Sequence, residues 1–379
     1  MTILTFNKKE LEDKIGKITP GVEEKITDMG TPVENVTDKE LSVEVFPNRP
    51  DLLSIQNFSR AINQFNGKGG VAKFNINNPE KNYSVVIEKS VKKVRPYTVC
   101  AIVKRLKFDD KDIKEIIEIQ EKLHNSIGRK RKKIAIGIYP LEKIKLPIRF
   151  IAKNPEEIKF QPLESQKELT GKQILRGHPA GKEHAHLLEN ANVFPIFIDA
   201  DRKILSMPPI INSEETGRIT KNTREIFIEC SGDNLHYLKK CLNILASTFS
   251  EMGGKIYAME VEDPKEGKFT SPNMDFEELS FEIKNIEKTL GIKLNEKDVK
   301  KYLEKMGIGY SNKKGNSVAL IPPYRMDILH WVDLSEEIAI AYGYKNFIPE
   351  IPEISTIAEE DPKEKTKKVI SKILAGLGL

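Results

Sequence analysis

The chain of 379 residues is too long for one ordinary hydrophobic core, so its length predicts two to four domains. Its composition, with 39% hydrophobic and 31% charged residues and a mean hydropathy of −0.42, is that of a folded soluble protein. The 61 basic and 56 acidic residues leave a net charge of +5, which permits a nucleic-acid partner without requiring one.

The cysteines and the N-terminus indicate a reducing compartment. Cys100, Cys230 and Cys241 form neither a CxxC pair nor an even-numbered framework, as is typical of reduced thiols in a cytosolic protein. No apolar run is long enough to span a bilayer, and the opening MTILTFNKKE lacks the pattern of a signal peptide. We therefore expect a cytoplasmic protein with no membrane partner.

The first predicted region covers residues 1–82. VEVF predicts a strand, Asn48 to Pro50 a turn, and LLSIQNFSRAINQF an amphipathic helix that ends at Gly67. The next segment, GKGGVAKFNINNPEKN, has the composition of a linker. The predicted result is a small N-terminal α/β domain.

The second predicted region, residues 83–265, mixes strands and helices. Its strand candidates are YTVCAIVKRL, KKIAIGIYP, VFPIFIDA and EIFIECSG. Its helix candidates are IKEIIEIQEKLHNSIG and NLHYLKKCLNILASTFSEMGG. A polar segment with two prolines, DPKEGKFTSPNMDFEE, follows as a linker.

The third region, residues 275–346, predicts a small α+β module. In NIEKTLGIKLNEKDVKKYLEKMGIGYS, two short helices flank a glycine-containing turn, which indicates helix-turn-helix or winged-helix character. NSVALIPPYRMDI then supplies a β-like run and DLSEEIAIAYGY a helix. Residues 347–379 predict the link IPEIPEISTIAEEDPKEK and an amphipathic helix, TKKVISKILAGLGL. The fold class is therefore α+β and multidomain.

Four carboxylates, Asp327, Asp333, Glu336 and Glu337, crowd the stretch PPYRMDILHWVDLSEEIAIAYGY. Asp333 and Glu336 have the spacing of a capping box with Asp333 as N-cap, and acidic residues in a first helical turn complement the helix dipole. Capping does not explain Asp327. A hard divalent cation such as Mg²⁺ takes carboxylate oxygens, so both interpretations stay open on spacing alone.

PPYRMDI followed by VDLSEEIAIAYGY resembles the B5 domain of the phenylalanyl-tRNA synthetase β subunit of the archaeal and eukaryotic type. NRPDLLSIQNFSRAI resembles the N-terminal region of that family. LHNSIGRKRKKIAIGIYP, GKEHAHLL and LSMPPIINSEETGRIT resemble its B3/B4 domain, which edits mischarged tRNA. The segments follow in the same order along almost the whole chain, so the resemblance implies an editing domain at 83–265 and a B5 domain at 275–346.

The resemblance also implies cofactors and partners. The four acidic residues are expected to ligate a Mg²⁺ at the contact with an α subunit, in an α2β2 heterotetramer that acts on tRNA(Phe). ATP is used by the holoenzyme, and the aminoacylation centre is expected on α. The family's β subunit continues into a catalytic-like domain, so we expect either a truncated chain or a short gene.

The implied editing activity solves the problem of distinguishing phenylalanine from tyrosine. A pocket shaped for the phenylalanine ring rejects tyrosine poorly, whereas a second site that binds the extra hydroxyl can discriminate well. LSMPPIINSEETGRIT supplies Ser206 and Asn212, and EIFIECSG supplies Glu229 and Ser231. A carboxylate in an apolar strand is costly unless it is paired, and the alternative for Glu229 is an edge or exposed position.

The resemblance assigns roles to these residues. It implies that Glu229 meets the tyrosine hydroxyl, that Ser206 and Ser231 are polar groups of the pocket, and that Phe197 is its wall. The basic run from Gly128 to Lys133 is either a solvated loop or a contact for RNA phosphates.

Other readings of the chain remain. The chain is alternatively a non-catalytic RNA-binding or assembly module with a decayed editing pocket, or a free-standing relative with another ester substrate. His184 and His186 do not predict a zinc site, because a two-residue spacing places both on one face only in a strand. His178 is expected to be a loop histidine.

Overall fold

The computed structural model describes residues 2–313, 315–351 and 358–379 of the chain. Two compact units follow one another in sequence, the first ending at Tyr344 and the second beginning at Lys345. The described residues of the first unit form four β-sheets together with helices. This mixture confirms the predicted α+β class.

The N-terminal part is a three-stranded antiparallel sheet with three helices. Its elements are β1 (Thr2–Asn7), α1 (Lys8–Ile15), α2 (Pro20–Asp28), β2 (Val33–Val36), β3 (Glu40–Val45) and α3 (Ile55–Phe65). Strand β3 lies between β1 and β2. Helix α3 begins after Ser54, whose side chain accepts a hydrogen bond from the backbone N–H of Asn57, and it buries Phe58 and Ile62 in the core.

The middle part is dominated by one large sheet. Its first elements are β4 (Ile76–Asn77), β5 (Ser84–Ile87), β6 (Tyr97–Lys104), α4 (Asp110–Asn125), β7 (Ile134–Pro140), β8 (Ile148–Lys153), β9 (Lys159–Phe160), β10 (Leu169–Thr170), α5 (Gly171–Gly177) and α6 (Pro179–His184). The others are β11 (Phe194–Ile198), β12 (Ile204–Met207), β13 (Ile211–Asn212), α7 (Glu214–Gly217), β14 (Ile226–Gly232), α8 (Leu235–Glu251), β15 (Lys255–Asp263) and β16 (Gly267–Ser271).

Strand β14 is an interior strand of the large sheet, whose order is β13-β12-β11-β8-β5-β15-β6-β14-β7 with β4 and β16 also paired to β15. It pairs antiparallel with β6 on one side and β7 on the other, and helix α8 packs against it. All of its residues are buried. An edge or exposed position for Glu229, the alternative that the sequence left open, is therefore wrong.

Part of the predicted linker between the first two regions is sheet. Strand β4 falls inside GKGGVAKFNINNPEKN and pairs in parallel with β15. The side chain of Asn77 donates a hydrogen bond of 2.8 Å to the carbonyl of Ile256, which holds the segment against the large sheet. Composition could not reveal this pairing, because the partner strand lies far along the chain.

The C-terminal module, residues 277–342, contains β17 (Glu277–Phe281), α9 (Ile283–Leu290), α10 (Glu296–Lys305), β18 (Gly309–Lys313), β19 (Asn316–Ile321) and α11 (Trp331–Tyr342). Its three-stranded antiparallel sheet has the order β17-β19-β18. Gly291 ends α9 with a φ of +70°, and the side chain of Asn295 caps α10. These two residues build the turn of the predicted helix-turn-helix.

The second unit contains the helix α12 (Pro362–Gly376), as predicted for the C-terminal segment. Of the predicted proline-rich link, residues 352–357 lie outside the described residues. Within the described ranges, no helix has the length and apolarity needed to cross a bilayer.

Arg60 of α3 connects three parts of the first unit. Its guanidinium lies 2.5 Å from the carboxylate of Glu251 in α8 and 3.0 Å from the side-chain oxygen of Asn57. The same group stacks 4.2 Å from the ring centre of Tyr324, which follows β19. A buried cation needs such partners, so this arginine fixes the N-terminal part, the large sheet and the C-terminal module together.

We predict that Arg60→Met destabilises the first unit by about 3 kcal/mol, because it leaves the carboxylate of Glu251 without its partner. Urea unfolding followed by circular dichroism measures the loss. The control is Lys114→Met, which removes a cation from an exposed pair with Glu118. Equal stability of the two variants would contradict the role given to Arg60.

Candidate functional site

A cavity of about 860 Å³ opens between α4, β7 and the segment that follows β12. Much of its wall is aliphatic, and the isoleucines that line it are Ile113, Ile116, Ile117, Ile136, Ile138, Ile210, Ile211 and Ile219. Its polar lining includes Gln120, His178, Asn212 and Glu229. An apolar cavity with a few convergent polar groups has the character of a small-molecule site.

Glu229 lies in the floor of this cavity, at the middle of strand β14. It stands opposite Gly137 of β7, and a Cβ atom added to Gly137 would come within 2.5 Å of Glu229 Oε1. The added Cβ atom would also lie 2.2 Å from the hydroxyl oxygen of Tyr139. A glycine at 137 is therefore needed to make room for the carboxyl and the phenol.

Tyr139 gathers the polar groups of the floor. Its hydroxyl oxygen lies 2.8 Å from Ser206 Oγ, 3.3 Å from Glu229 Oε1 and 3.4 Å from Asn212 Oδ1. A phenol has a single proton to donate, so it cannot satisfy all of these acceptors at once. Glu229 Oε2 has no hydrogen-bond partner, and it is the one buried carboxylate oxygen in that condition among the residues described.

The protonation of Glu229 follows from its burial, which raises its pKa to about 8, although the positive charge of Arg95 and the hydroxyls of Tyr139 and Ser231 oppose the shift. Burial in turn lowers the pKa of Arg95 to about 10. At neutral pH the carboxyl of Glu229 is therefore mostly neutral and can donate as well as accept a hydrogen bond.

The predicted pocket residues do not all line the cavity. Glu229 and Asn212 do, and Ser206 lies directly behind them, in contact with Tyr139. Ser231 instead accepts a hydrogen bond of 3.0 Å from Arg95 in the interior of the sheet. Phe197 was expected as a wall, but it stacks on Phe150 at 4.3 Å in the core and is not among the lining residues.

The rim of the cavity carries a second polar group of residues. His124 is buried, and its Nε2 accepts a hydrogen bond from the backbone N–H of Ile136, so its proton lies on Nδ1, which faces Glu121 at 3.3 Å. Arg131 lies 2.6 Å from the same carboxylate and donates to the carbonyl of Ile210. The hydrogen bond of His124 and the charge of Arg131 lower the pKa of Glu121 to about 2, despite its burial.

The predicted basic run forms a tight turn beside this rim. Arg129, Lys130 and Arg131 all have positive φ angles, 47°, 54° and 66°, a conformation that costs a non-glycine residue about 1 kcal/mol or more. The turn directs Arg131 into the cavity lining, while Arg129, Lys130 and Lys132 are exposed. Among the described residues these three exposed cations have no ion-pair partner, and they flank Arg131 of the cavity lining in sequence.

Other histidines do not add catalytic groups. His178 lines the cavity, but its Nε2 is 3.1 Å from the carbonyl of Leu163 and its Nδ1 accepts from the N–H of Ala180. Both ring nitrogens are therefore engaged, as expected of a loop histidine that caps a helix. Among the described residues, no cluster of three or more His, Cys, Asp or Glu side chains is arranged to bind a metal.

Sequence reasoning missed Tyr139, Gly137 and Arg95. The strand KKIAIGIYP contains a glycine two residues before a tyrosine, so both lie on the same face of the strand. A glycine in a strand often marks a place where another group approaches closely, and this was the signal that the sequence offered. Arg95 gave no signal, because a lysine-rich segment before a proline is usually exposed, and only the packing shows that this arginine is buried.

The acidic cluster lies in the C-terminal module around a buried arginine. Arg325 Nε and Nη2 each donate to one oxygen of Asp327 at 2.8 Å. Its Nη1 and Nη2 also lie 3.1 and 2.8 Å from the two oxygens of Glu337. Burial raises the pKa of Asp327, but the charge and hydrogen bonds of Arg325 outweigh it, so this pKa lies below its usual value.

The remaining two carboxylates have no contact with Arg325 among the described residues. Asp333 Oδ2 accepts hydrogen bonds of 2.7 Å from the backbone N–H groups of Leu329 and His330, and Glu336 is exposed. The capping box is therefore one turn earlier than predicted: His330 is the N-cap and Asp333 is the third helical residue. Helix α11 therefore begins at Trp331, and the carboxylate of Asp333 in its first turn satisfies the backbone N–H groups of the two residues before it.

Only part of this acidic cluster is suited to bind a divalent cation. Carboxylate oxygens are suitable donors for Mg²⁺, and Glu336 is exposed, whereas Asp333 is half-buried and uses Oδ2 for the loop before α11. Asp327 and Glu337 are turned to Arg325 instead. The four side chains are not arranged around a common point, so a site with all four as ligands stays a prediction.

Comparison with known proteins gives a consistent answer. A family model described as the tRNA synthetase B5 domain matches residues 279–344. The phenylalanine–tRNA ligase beta subunit of Archaeoglobus fulgidus is 35% identical over 379 residues, which cover 100% of this chain and 68% of the relative. That of Methanosphaera stadtmanae is 33% identical over 381 residues, with 100% and 68% covered.

A solved structure supports the same relationship. The crystal structure of an N-terminal fragment of the phenylalanyl-tRNA synthetase beta subunit from Pyrococcus horikoshii matches with a TM-score of 0.85 and 34% identity, over 90% of this chain and 99% of the fragment. The chain belongs to the family of phenylalanine–tRNA ligase beta subunits, the subunits of an aminoacyl-tRNA synthetase.

Proposed function

We propose that the cavity hydrolyses tyrosyl-tRNA(Phe) and that the chain in this way edits the product of phenylalanine–tRNA ligase. The observation that carries the proposal is the unpaired Oε2 of Glu229 in the floor of an apolar cavity. A buried polar atom without a partner is costly, and a tyrosine hydroxyl would provide the missing hydrogen bond. Phenylalanine would leave the same atom unpaired, so the site favours the wrong amino acid.

The shape of the cavity fits the rest of this substrate. Its volume of about 860 Å³ is in the range of small-molecule sites and has room for an aromatic amino acid joined to a ribose. The isoleucines of α4 and β7, such as Ile116, Ile136 and Ile138, supply an apolar wall for the ring. Tyr139, which also contacts Asn212, positions Glu229 and limits the orientations of the phenol.

The reaction is the addition of water to an ester. A water oxygen attacks the carbonyl carbon, the bond from that carbon to the ribose oxygen breaks, and the ribose oxygen takes a proton. The products are tyrosine and tRNA with a free ribose hydroxyl. Glu229 binds the far end of the substrate, so it selects tyrosine, and a side-chain base is not required where the neighbouring ribose hydroxyl assists.

The exposed cations of the basic turn support an RNA contact. Arg129, Lys130 and Lys132 are exposed and flank Arg131, which lines the cavity, so we place the phosphates of the acceptor end against them. The competing function, an RNA-binding or assembly module without catalysis, relies on the same cations and predicts binding without turnover.

The family relationship supports the wider assembly that we propose. The chain acts as a beta subunit with an alpha subunit on tRNA(Phe), in a cytoplasmic α2β2 heterotetramer whose alpha subunit uses ATP for aminoacylation. The proposed limits are 83–265 for the editing domain and 275–346 for the B5 domain. A Mg²⁺ at the contact with the alpha subunit would be held by residues of the acidic cluster: Asp327, Asp333, Glu336 and Glu337.

We predict that the wild-type chain deacylates tyrosyl-tRNA(Phe) faster than phenylalanyl-tRNA(Phe), and that Glu229→Leu lowers this selectivity by about 100-fold, because it removes the partner of the phenol. Glu229→Gln keeps a neutral hydrogen-bonding group and should retain part of the selectivity. Release of labelled amino acid from each tRNA measures the rates. The exposed Glu157→Gln is the control.

Two outcomes of this assay would contradict the proposal. Turnover of both esters at equal rates by the wild-type chain would exclude selection of tyrosine by the cavity. No turnover, either alone or with the alpha subunit and a full-length relative, together with tight tRNA binding, would establish the non-catalytic alternative.

We predict that Glu229 makes the stability of the folded chain depend on pH. Its pKa is raised from 4.5 when unfolded to about 8 in the fold, so the folded chain holds an extra proton between these values and loses stability as the pH rises through this window. The melting temperature of Glu229→Gln minus that of wild type should therefore increase between pH 5 and pH 9. A difference that is constant with pH would show that Glu229 does not titrate in this way.

We predict that the combined change Arg129→Ala, Lys130→Ala and Lys132→Ala raises KM for tyrosyl-tRNA(Phe) and leaves kcat unchanged. The magnitude of the slope of log affinity for tRNA against log salt concentration should decrease by about 2, since three phosphate contacts are lost. Three exposed lysines of α10, Lys297, Lys300 and Lys301, changed to alanine provide a control with the same loss of charge. Equal effects of the two triple variants would argue against a specific contact.

A further inference from the structure

Arg95 is a buried cation that has no part in the hydrolysis described above. It is 6% exposed and lies between the short 3₁₀-helix Lys89–Lys93 and strand β6. Burial lowers its pKa to about 10, and the negative charges of Glu229 and Asp233 oppose this shift. Among the described residues no carboxylate is hydrogen-bonded to its guanidinium. A buried cation without a close counter-ion is costly, and such groups are concentrated at functional sites.

The guanidinium of Arg95 is directed at Ser231 of strand β14. Its Nε donates a hydrogen bond of 3.0 Å to Ser231 Oγ, and its Nη2 donates one of 2.5 Å to the Ser231 carbonyl. An arginine has donors only, so the hydroxyl of Ser231 accepts in this contact. The proton of that hydroxyl is therefore left to point to another group.

Glu229 lies on the same face of β14, because it precedes Ser231 by two residues. The charge of Arg95 and the hydroxyl of Ser231 both oppose the effect of burial on the pKa of Glu229, as groups that favour its charged form do. Tyr139 contacts Oε1 from β7, whereas Oε2 has no partner. Arg95 and Ser231 thus act together on the carboxyl of Glu229.

Arg95 carries the positive charge that acts on this carboxyl. The other ionisable groups around it are either neutral through burial or held in an ion pair. They are Cys100 of β6, Tyr139 of β7, Glu121 and His124 of α4, Arg131 of the basic turn and Asp233 after β14. Helix α8 covers the opposite face of β14, where Cys230 joins its apolar core.

We propose that Arg95 is a positioning residue for the selection of tyrosine: it holds Ser231 as an acceptor, directs the Ser231 hydroxyl toward Glu229 and so fixes the carboxyl that meets the phenol. This inference rests on the proposed function of the cavity. Arg95 acts from behind the carboxyl and not on the ester. Its loss should therefore weaken binding of the tyrosyl group and leave the hydrolytic step unchanged.

The first test is deacylation by the Arg95→Met chain. We expect KM for tyrosyl-tRNA(Phe) to rise about 10-fold with kcat unchanged, because one oriented hydrogen bond is lost. The values for phenylalanyl-tRNA(Phe) should not change, since its ring makes no hydrogen bond with Glu229. Arg95→Lys keeps the charge and a donor and should restore most of the affinity, and Arg149→Met, which removes an exposed cation of β8, is the control.

A double-mutant cycle with Ser231→Ala tests the route through the hydroxyl. If Arg95 acts through Ser231, the combined variant Arg95→Met, Ser231→Ala should lose no more selectivity than the weaker of the two single variants. Losses that add would overturn the route. Equal losses for the tyrosyl and phenylalanyl esters would also overturn the inference, because they indicate a general effect on the fold.

A spectroscopic test needs no tRNA and separates the inference from the function beneath it. The infrared C=O band of the protonated carboxyl, assigned by its absence in Glu229→Gln, should titrate in wild type at about pH 8. Arg95→Met should move this midpoint upward by about 1 pH unit or more, whereas Arg95→Lys and Arg149→Met should not. If Arg95→Met does not fold, Ser231→Ala, which keeps the cation, should move the midpoint in the same direction.

The outcomes are distinct. A midpoint that neither Arg95→Met nor Ser231→Ala changes would overturn the inference, even where the wild-type chain selects tyrosine. A wild-type chain without turnover would overturn the proposed function, and an upward midpoint in the variants would then still support the link from Arg95 through Ser231 to Glu229.

Discussion

The requirement that a buried charge has a partner determines how the first unit is built. Arg60 joins α3 to α8 and stacks on Tyr324, and Arg325 holds Asp327 and Glu337 inside the C-terminal module. Such pairs contribute little net stability compared with apolar packing, but breaking one leaves an uncompensated charge. They therefore specify one arrangement of the parts and penalise others.

Glu229 departs from this rule, and the departure marks the site. Its neighbours in β6 and β7 provide no partner for Oε2, and burial keeps the carboxyl largely protonated at neutral pH. A protein retains a cost of this kind where a ligand offsets it. In the function proposed above, the tyrosine hydroxyl is this ligand, and the apolar walls of the cavity receive its ring.

The two candidate sites use carboxylates in opposite ways. In the cavity, burial keeps one carboxyl mostly protonated despite the nearby charge of Arg95, which suits the recognition of a neutral hydroxyl that we propose. In the C-terminal module, Arg325 pairs with Asp327 and Glu337, while Asp333 accepts hydrogen bonds from the loop before α11 and Glu336 is exposed.

The sequence by itself determined the family, the α+β class and the presence of Glu229 in a strand, because motifs and alternation of apolar residues are local properties. It also placed the acidic residues and the basic run. The tertiary structure alone decided that β4 joins the large sheet, that Phe197 lies in the core rather than in the cavity, and that the helix carrying Asp333 begins at Trp331. These features depend on contacts between residues far apart in the chain, such as Gly137 with Glu229 or Met306 with Arg325, and no local pattern encodes such contacts.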